Sequence, residues 1–334
     1  MKRWLESRWY AAEPAPLALR PLASLYGLIA DHVAASRKRE AIRLPVPVIV
    51  IGNISVGGTG KTPLTLWLIE QARALGFRPG VISRGYGGRA ASYPLRVTST
   101  TDPAECGDEP ALIARRSGAP LAVAPDRIAA ARLLIEQDGV DLLIADDGLQ
   151  HYRLARDLEL CVIDGARGLG NGARLPAGPL RELPSRLAKV DAVIVNGALS
   201  APLPAHGRPQ LTMNLAIERA LPLAGGEPRS LHSFAGQRIR AIAGIGHPQR
   251  FFSALEAAGL VVIPQAFPDH HRYTAGDLAF DDGLPLLMTE KDAVKCAAFA
   301  RDGLWYVPAE AQLPEADAVH VRKLLSALKS HPIL

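Results

Sequence analysis

Cysteine is scarce in this sequence of 334 residues. Cys106, Cys161 and Cys296 are its three cysteines, and no two of them form a C-x-x-C pair. Their scatter implies neither a disulfide framework nor a thiolate zinc site. We therefore expect a protein of the reducing cytosol.

Long apolar runs are also absent. No stretch approaches the ~18 consecutive apolar residues that a membrane-spanning helix needs. The chain begins with Met-Lys-Arg, as a signal peptide can, but Glu6, Arg8 and Glu13 interrupt any apolar region that could follow. We expect a protein that is neither exported nor inserted across a bilayer.

Aromatic residues make up 5% of the chain, against 48% hydrophobic and 21% charged residues. This is a globular composition, which argues against disorder. The length favours two domains, because single domains mostly contain ~100–200 residues. Abundant Leu, Ile, Val and Ala favour alternating strands and helices.

The net charge of +5 is concentrated at the N-terminus, since residues 1–43 contain eight Lys or Arg and four Asp or Glu. Two tryptophans, Trp4 and Trp9, lie in this segment. Apolar residues follow at helical spacing, namely Leu22, Leu25, Tyr26, Ile29 and Val33. Such a basic amphipathic helix is typical of an interfacial membrane anchor, and equally of a helix packed on its own core. No nucleic-acid partner is expected, because the basic excess is confined to this segment.

The stretch VIVIGNISVGGTGKTPLTLWLIE, residues 48–70, has the features of a phosphate-binding loop (P-loop). An apolar strand precedes a glycine-rich turn, and Lys-Thr opens a helix whose N-terminus can face phosphates. The strict pattern has glycine where this chain has Ser55, so the first glycine is displaced. We expect Lys61 to reach the β- and γ-phosphates and Thr62 to bind Mg²⁺. The predicted nucleotide-binding residues of the loop are Ser55, Gly57, Gly58, Thr59, Gly60, Lys61 and Thr62. The alternative is a glycine-rich turn without a ligand.

A second apolar strand ends in the pair Asp146-Asp147, within DLLIADDGLQH. Acidic residues at the carboxyl end of a core strand are what a P-loop enzyme uses to hold Mg²⁺. Strands also end in Asp-Gly turns without any metal. Together with the P-loop, the pair predicts a magnesium site at one edge of the sheet.

The order of strands and helices predicts an α/β fold. Continuous apolar strands separated by helices indicate a P-loop NTPase-like parallel sheet with helices on both faces. The pattern weakens between Asn196 and Arg238, where Pro and Gly become frequent, and then resumes. The predicted parts are an N-terminal amphipathic, membrane-associating segment (1–43), a P-loop domain (44–200), a linker (201–237) and a smaller C-terminal α/β domain (238–334).

Several further motifs resemble those of one enzyme family. GNISVGGTGKTP, SRGYGG, GDEP, VAPDR, DDGLQH, GPLRE, FPDHH and TEKDAVK occur in the order and approximate spacing of the tetraacyldisaccharide 4′-kinase family of lipid A biosynthesis. The resemblance runs from the N-terminal segment to about Lys295. One departure is His247 in GIGHP, where the family pattern has Asn.

This resemblance implies an ATP-dependent kinase. Its substrate would be an acylated glucosamine disaccharide 1-phosphate, phosphorylated on the 4′-hydroxyl to give lipid IV-A. The enzyme would act as a peripheral protein at the cytoplasmic face of the bacterial inner membrane. It would approach the membrane through its N-terminal helix. A substrate with four acyl chains stays in the bilayer, because each buried CH₂ contributes ~0.8 kcal/mol. ATP, Mg²⁺ and the membrane surface are therefore the expected partners.

The matched motifs also imply site residues. Asp108 of GDEP would be the base for the sugar hydroxyl, although a helix N-cap explains it as well. Asp269 and His270 of FPDHH would support that base across a cleft between domains, although a lone His is more often structural. Further residues would line the phosphate and metal region, namely Arg127, Gln150, Arg181 and Glu182. TEKD also fits a capping box from Thr289, so Lys291 is left out of the site.

Two other functions remain open from the sequence. One is a different P-loop enzyme, such as a small-molecule kinase or a GTPase, although the base-reading motif N-K-x-D of GTPases is not evident. The other is a nucleotide-dependent membrane-binding switch without transfer chemistry. A switch needs the P-loop and the Mg²⁺ ligands but no base for a substrate hydroxyl, so Asp108 and His270 discriminate between these functions.

Overall fold

A computed structural model of the chain describes residues 2–11 and 14–329, and predictions that concern residues 1, 12, 13 and 330–334 lie outside the described residues. The strands in the described part are β1 Val48–Gly52, β2 Pro79–Ser83, β3 Leu95–Val97, β4 Leu121–Val123, β5 Leu142–Ala145, β6 Leu158–Asp164, β7 Ala192–Asn196, β8 Gln210–Ala216, β9 Arg219–Pro222, β10 Arg229–Ser230, β11 Arg238–Ala243, β12 Val261–Ala266, β13 Leu286–Thr289, β14 Leu304–Val307 and β15 Glu310–Gln312. The α-helices there are α1 Lys2–Trp9, α2 Arg20–Arg39, α3 Lys61–Ala74, α4 Pro103–Cys106, α5 Asp108–Ser117, α6 Arg127–Asp138, α7 Pro248–Ala257, α8 Glu290–Cys296 and α9 Glu315–Lys329.

The larger sheet has nine strands in the order β15-β8-β7-β6-β1-β5-β2-β4-β3. β1 lies at its centre and pairs in parallel with β5 on one side and β6 on the other. Every residue of β1 is buried, because apolar clusters cover both faces of the sheet. The predicted α/β fold is thus confirmed. Parallel pairing of β1 with β5 also brings the loops that follow them, the P-loop and the Asp146-Asp147 turn, to one edge of the sheet.

The smaller sheet has six strands in the order β10-β9-β14-β13-β11-β12. Its centre is parallel, with β11 paired to β12 and to β13. Helix α8 leaves this sheet after β13 and packs against α5, which belongs to the larger one. This contact places the side chains of α8 beside the start of α5.

The strand pairings differ from the predicted domain boundaries in two places. β8 falls in the predicted linker 201–237 but pairs with β7 of the larger sheet, and β9 and β10 from the same segment join the smaller sheet. β15 pairs with β8, and Val321 and Leu325 of α9 belong to the core of the larger sheet. The C-terminal residues therefore return to the first sheet. β9, β10 and β15 are short, and β9 and β15 pair with strands that lie far away in the sequence.

Helix α2 is docked on the protein by one narrow side. Ala23 and Gly27 are buried there, and a Cβ added to Gly27 would overlap Nη1 of Arg174. Glycine thus lets the Arg174 guanidinium cross the helix and form two hydrogen bonds with Asp31, at 2.8 and 2.9 Å. These contacts fix the rotation of α2 about its axis.

The opposite side of α2 is apolar and exposed. Large hydrophobic side chains from 40% to 70% exposed lie along it, namely Leu22, Leu25, Leu28, Ile29 and Val33. Of the predicted stripe, Tyr26 is half-buried and the other four members are exposed. The stripe is therefore not packed on the protein's own core. In the described part of the chain, no helix has the length and apolar character needed to span a membrane.

Candidate active site

The P-loop runs from the end of β1 to the start of α3. Gly57 and Gly60 have φ of +106° and +95°, a region that favours glycine. A Cβ at Gly60 would lie 2.5 Å from Nδ2 of Asn196, and that amide donates to the carbonyl oxygen of Thr59 at 3.0 Å. Ser55 is buried and forms an isolated antiparallel β-bridge with Leu180. Its φ is not positive. Glycine is thus needed at the later loop positions and not at Ser55.

Lys61, the first residue of α3, faces the acidic turn after β5. Its Nζ lies 3.5 Å from Oδ1 of Asp147, and Nη1 of Arg181 lies 3.4 Å from Oδ2 of the same carboxylate. Burial raises the pKa of Asp147, but Lys61 and Arg181 outweigh it and lower the value to about 2. Two cations from separate motifs therefore converge on one carboxylate at the edge where a phosphate chain would lie.

Asp146, the other half of the acidic pair, is almost fully buried. Its Oδ1 accepts a 3.4 Å hydrogen bond from the hydroxyl of Thr65. Burial, together with the charges of Glu109 and Asp147, raises its pKa to about 7. A carboxyl group held in this way is ready to be ionised by a nearby cation.

The residues present fit a magnesium ion. Oδ2 of Asp146 and Oδ1 of Asp147 are buried and lack hydrogen-bond partners, and carboxylate oxygens are hard donors suited to this ion. Thr62 lies half-buried in the first turn of α3. The described residues contain no group of three or more His, Cys, Asp or Glu that could hold a metal. Mg²⁺ needs few protein ligands, however, because water and substrate phosphates complete its shell.

Three more of the predicted residues, Arg127, Gln150 and Glu182, lie at or near the acidic turn. Arg127 is buried, and its Nη2 donates to the carbonyl oxygen of Asp147 at 2.8 Å. Gln150 donates to Glu182 at 2.6 Å and to the carbonyl oxygen of Asn53 at 3.0 Å. Glu182 also accepts from the hydroxyl of Tyr152. Both oxygens of Glu182 are thus already engaged, whereas those of Asp146 and Asp147 have unused capacity.

The structure brings Asp108 and His270 together from opposite sides of the cleft. Nδ1 of His270 lies 3.0 Å from Oδ2 of Asp108. Helix α5 begins at Asp108 itself, with Gly107 at the N-cap and no side-chain cap, so the carboxylate is not used for capping. His270 has φ of +60°, and its backbone N–H donates to Asp269 at 3.1 Å. The strained backbone turns the imidazole toward Asp108.

Two lysines of α8 lie beside the carboxylates of Asp108 and Asp269. Nζ of Lys295 lies 2.8 Å from Asp292 and 4.0 Å from Oδ2 of Asp108. Nζ of Lys291 lies 3.5 Å from Asp269 and 3.2 Å from Glu109. These carboxylates raise the pKa of Lys291 against the effect of burial.

Neither lysine is among the site residues predicted from the sequence, and Lys291 is set aside there because TEKD fits a capping box. The capping box exists, since the backbone N–H of Asp292 donates to the hydroxyl of Thr289 at 3.1 Å. It occupies the first and fourth positions of the turn, however, and leaves the side chain of Lys291 free to reach the site. The motif TEKDAVK could have predicted that two lysines reach the site together, because residues four apart on a helix share one face. Lys291 and Lys295 are such a pair.

The electrostatic effect of these groups is to keep Asp108 ionised. Burial raises the pKa of Asp108, but the hydrogen bond from His270 and the charges of Lys295 and Lys291 lower it below its usual value. An ionised carboxylate is able to accept a proton at neutral pH. The structure thus contains both an ionised carboxylate at the start of α5 and a phosphate-binding loop at the start of α3. This combination of fold and site defines the class of P-loop phosphotransferases.

Comparison with known proteins narrows this class to one family. The family model described as tetraacyldisaccharide-1-P 4′-kinase matches residues 15–329. A tetraacyldisaccharide 4′-kinase of Pseudomonas aeruginosa is 54% identical over 311 residues, covering 92% of each chain. One from Alkalilimnicola ehrlichii is 52% identical over 318 residues, covering 94% of this chain and 93% of the relative.

A solved structure agrees with these relatives. LpxK from Aquifex aeolicus, crystallised in complex with ATP, has a TM-score of 0.79 and 27% identity, covering 93% of this chain and 98% of that one. The chain belongs to the tetraacyldisaccharide 4′-kinase family, and it is a kinase.

Proposed function

We propose that the protein transfers the γ-phosphoryl group of ATP to the 4′-hydroxyl of an acylated glucosamine disaccharide 1-phosphate, giving lipid IV-A and ADP. The observation that carries this proposal is the 3.0 Å contact between His270 of the smaller sheet's side and Asp108 at the start of α5. The lipid acceptor is inferred from the description of the family, and ATP is inferred from the relative that was crystallised with it.

Asp108 is the base in this proposal. The contacts to His270 and Lys295 both use Oδ2, which leaves Oδ1 for the substrate hydroxyl. As the sugar oxygen bonds to the γ-phosphorus, its proton passes to Asp108 and the bond to the β–γ bridging oxygen breaks. A weakly basic carboxylate suffices, because the transition state is loose and the hydroxyl loses its proton late.

His270 and the two lysines act as positioning residues. The imidazole fixes the rotamer of Asp108, and Asp269 anchors the backbone of His270. Lys295 and Lys291 balance the carboxylates of this wall. Positive charge close to Oδ2 keeps Asp108 ionised without occupying the oxygen that receives the proton.

The P-loop binds the phosphates of ATP. Backbone N–H groups at Gly58 to Lys61 and the N-terminus of α3 provide a positive end for an anion. We expect Lys61 and Arg181 to exchange their ion pairs with Asp147 for the phosphates when the nucleotide binds. Asp146, Asp147 and Thr62 would hold Mg²⁺, which neutralises charge on the β- and γ-oxygens when bound.

The exposed side of α2 serves as the membrane contact in this proposal. Its apolar side chains lie opposite the contacts of Gly27 and Asp31 that dock the helix, so they can enter the bilayer without disturbing the fold. Helices of this kind lie in the plane of the interface. The protein is then peripheral, at the cytoplasmic face of the inner membrane, where its lipid substrate resides.

The test is transfer of one phosphate. The purified protein is supplied with ATP, Mg²⁺ and the disaccharide lipid in detergent, and the lipid is analysed by mass spectrometry. Gain of one phosphate by the wild type, and loss of that gain in Asp108→Asn, is the expected result. ATP binding without any transfer would favour a membrane-binding switch, and transfer to water-soluble sugars alone would favour another small-molecule kinase.

A further inference from the structure

A cavity at the C-terminal end of α2 lies outside the site already described. Its volume is about 430 Å³. Its lining residues are His32, Val33, Ser36, Arg37, Glu40 and Arg153. His32, Val33, Ser36 and Arg37 belong to α2, Glu40 is its C-cap residue, and Arg153 comes from the turn that follows the acidic pair. We call it the α2 cavity.

The α2 cavity is continuous with the exposed apolar side of the helix. Val33 is 40% exposed and belongs both to that side and to the cavity wall. Arg37 lies one turn beyond Val33, on the same side of the helix. A ligand in the cavity would therefore lie at the level where the apolar side ends and charged side chains begin.

The cavity has two guanidinium groups without carboxylate partners. Among the described residues, neither Arg37 nor Arg153 forms a salt bridge. Nε of Arg153 is buried and has no hydrogen-bond partner. Buried polar atoms are normally paired, and the forked donors of Arg suit phosphate oxygens. Among the described lining residues, Glu40 is the one with a carboxylate, and its negative charge disfavours binding of an anion.

We propose that the α2 cavity binds the phosphate of an anionic phospholipid of the surrounding bilayer. Arg37 and Arg153 donate to the phosphate oxygens, Ser36 offers a hydroxyl, and the acyl chains lie along the apolar side of α2. This inference rests on the proposed function, because it assumes that α2 lies at a membrane. It adds that the protein recognises the charge of the membrane at a defined site.

Because Arg153 follows the acidic pair in the chain, the bound lipid would also be linked to the catalytic edge. The backbone oxygen of Arg153 accepts from Ile42 at 2.7 Å, which ties this turn to the segment that leaves α2. A headgroup held between Arg37 and Arg153 would therefore hold α2 against the loop that carries Asp147.

The experiment measures binding to vesicles without substrate or ATP. Vesicles of phosphatidylcholine are compared with vesicles that also contain phosphatidylglycerol. The variants are Arg37→Gln, Arg153→Gln and the pair, with Arg39→Gln as matched control, since Arg39 is exposed on the same helix and does not line the cavity. Thermal melting of each variant checks that it is folded.

Binding of a phosphate at the α2 cavity and general attraction to a charged membrane predict different losses of vesicle affinity. The surface potential alone contributes on the order of fivefold per basic residue, and this is the loss expected for Arg39→Gln. Hydrogen bonds to a phosphate contribute more, so Arg37→Gln and Arg153→Gln should each lose ~tenfold or more on anionic vesicles. The pair should lose less than the product of the two single losses, because both groups hold one phosphate.

Glu40→Gln should change the affinity for anionic vesicles in the opposite direction to the arginine variants. Removing this carboxylate should strengthen binding to anionic vesicles and leave binding to phosphatidylcholine unchanged. The proposal is overturned if Arg153→Gln loses no more than Arg39→Gln, or if the losses of Arg37→Gln and Arg153→Gln multiply.

One further outcome would reassign the cavity. If Arg37→Gln and Arg153→Gln raise the KM for the lipid substrate in neutral detergent free of phospholipid, the cavity holds the substrate's own phosphate and the proposal fails. The kinase proposal is judged separately by phosphate transfer, so failure of one does not imply failure of the other.

Discussion

Lys295 and His270 approach the same oxygen of Asp108. Nζ of Lys295 lies 4.0 Å from Oδ2, and Nδ1 of His270 lies 3.0 Å from it. One group comes from α8 and the other from the loop after β12. The charge of Asp108, the proposed base, is thus set by two elements of the smaller sheet.

Replacing Lys295 should change the pH dependence of the kinase. Lys295 lowers the pKa of Asp108, so Lys295→Met should raise that pKa. Activity requires ionised Asp108, so the acidic limb of the kcat profile should move to higher pH. Lys295→Arg should keep the wild-type limb. An unchanged limb in Lys295→Met would show that the lysine has a structural role alone.

Lys295 also neutralises Asp292, which is fully buried. Removing one partner of such a pair is expected to destabilise the protein by ~3–5 kcal/mol. The double variant Lys295→Met/Asp292→Asn should therefore recover much of the melting temperature. The shifted pH limb should persist in it, which separates the effect on Asp108 from the effect on folding.

Asp108 and His270 should behave as one unit. Asp108→Ala and His270→Ala are each expected to lower kcat by ~10²–10⁴-fold, with ATP affinity nearly unchanged, because neither residue is expected to hold the nucleotide. The double variant should lose little more than the worse single one. Single-turnover phosphate transfer measures this, with ATP binding and thermal melting as controls. Losses that multiply would show that the two residues act independently.

The P-loop prediction concerns Lys61 and Thr62. Lys61→Ala removes the cation at the β- and γ-phosphates, and turnover should fall by ~10³-fold or more. Thr62→Ala should raise the Mg²⁺ concentration needed for half-maximal rate. Steady-state assays over a Mg²⁺ series distinguish the two variants. Wild-type activity in Lys61→Ala would contradict the nucleotide site.

Asp146 should make the metal-free protein less stable as the pH rises. Its pKa is about 7 in the folded protein, against 3.8 as the reference value, so the folded state holds the proton more tightly. The stability that it contributes is fully present below the reference value and is lost as the pH rises to about 7. With a chelator present, Asp146→Asn should melt above the wild type at pH 7 and equally near pH 4.

The melting temperatures of the wild type and Asp146→Asn should also respond differently to Mg²⁺. Added Mg²⁺ should raise the melting temperature of the wild type at pH 7, because it favours the ionised Asp146. It should raise that of Asp146→Asn much less. Equal increases in both proteins would exclude Asp146 from the metal site.

The apolar side of α2 should decide binding to neutral membranes. Leu25 and Leu28 are 54% and 70% exposed, and burying a Leu side chain contributes ~1.5–3 kcal/mol. Leu25→Gln and Leu28→Gln should each weaken binding to phosphatidylcholine vesicles by ~tenfold or more. Val261→Gln is the matched control, since Val261 is 49% exposed on β12. Equal losses in all three variants would contradict a membrane role for this side of α2.

Local patterns were sufficient for most of the elements. The run VIVIG, the glycines after it and the Lys-Thr that opens α3 specify strand, loop and helix through contacts near in sequence, so the P-loop and the α/β fold were predictable. The sheets that the segments 201–237 and 310–329 join were not, because β9 and β15 are short strands whose partners lie far away in the sequence.

The sequence by itself determined which chemical groups are available: the loop around Lys61, the acidic pair Asp146-Asp147, and the motifs with Asp108 and His270. Tertiary structure alone decided how these groups act on one another. It placed His270 and Lys295 on one oxygen of Asp108, 162 residues distant from His270 in the chain, and it turned the apolar side of α2 outward. Charge interactions and burial depend on distances through space, and packing of the two sheets fixes those distances.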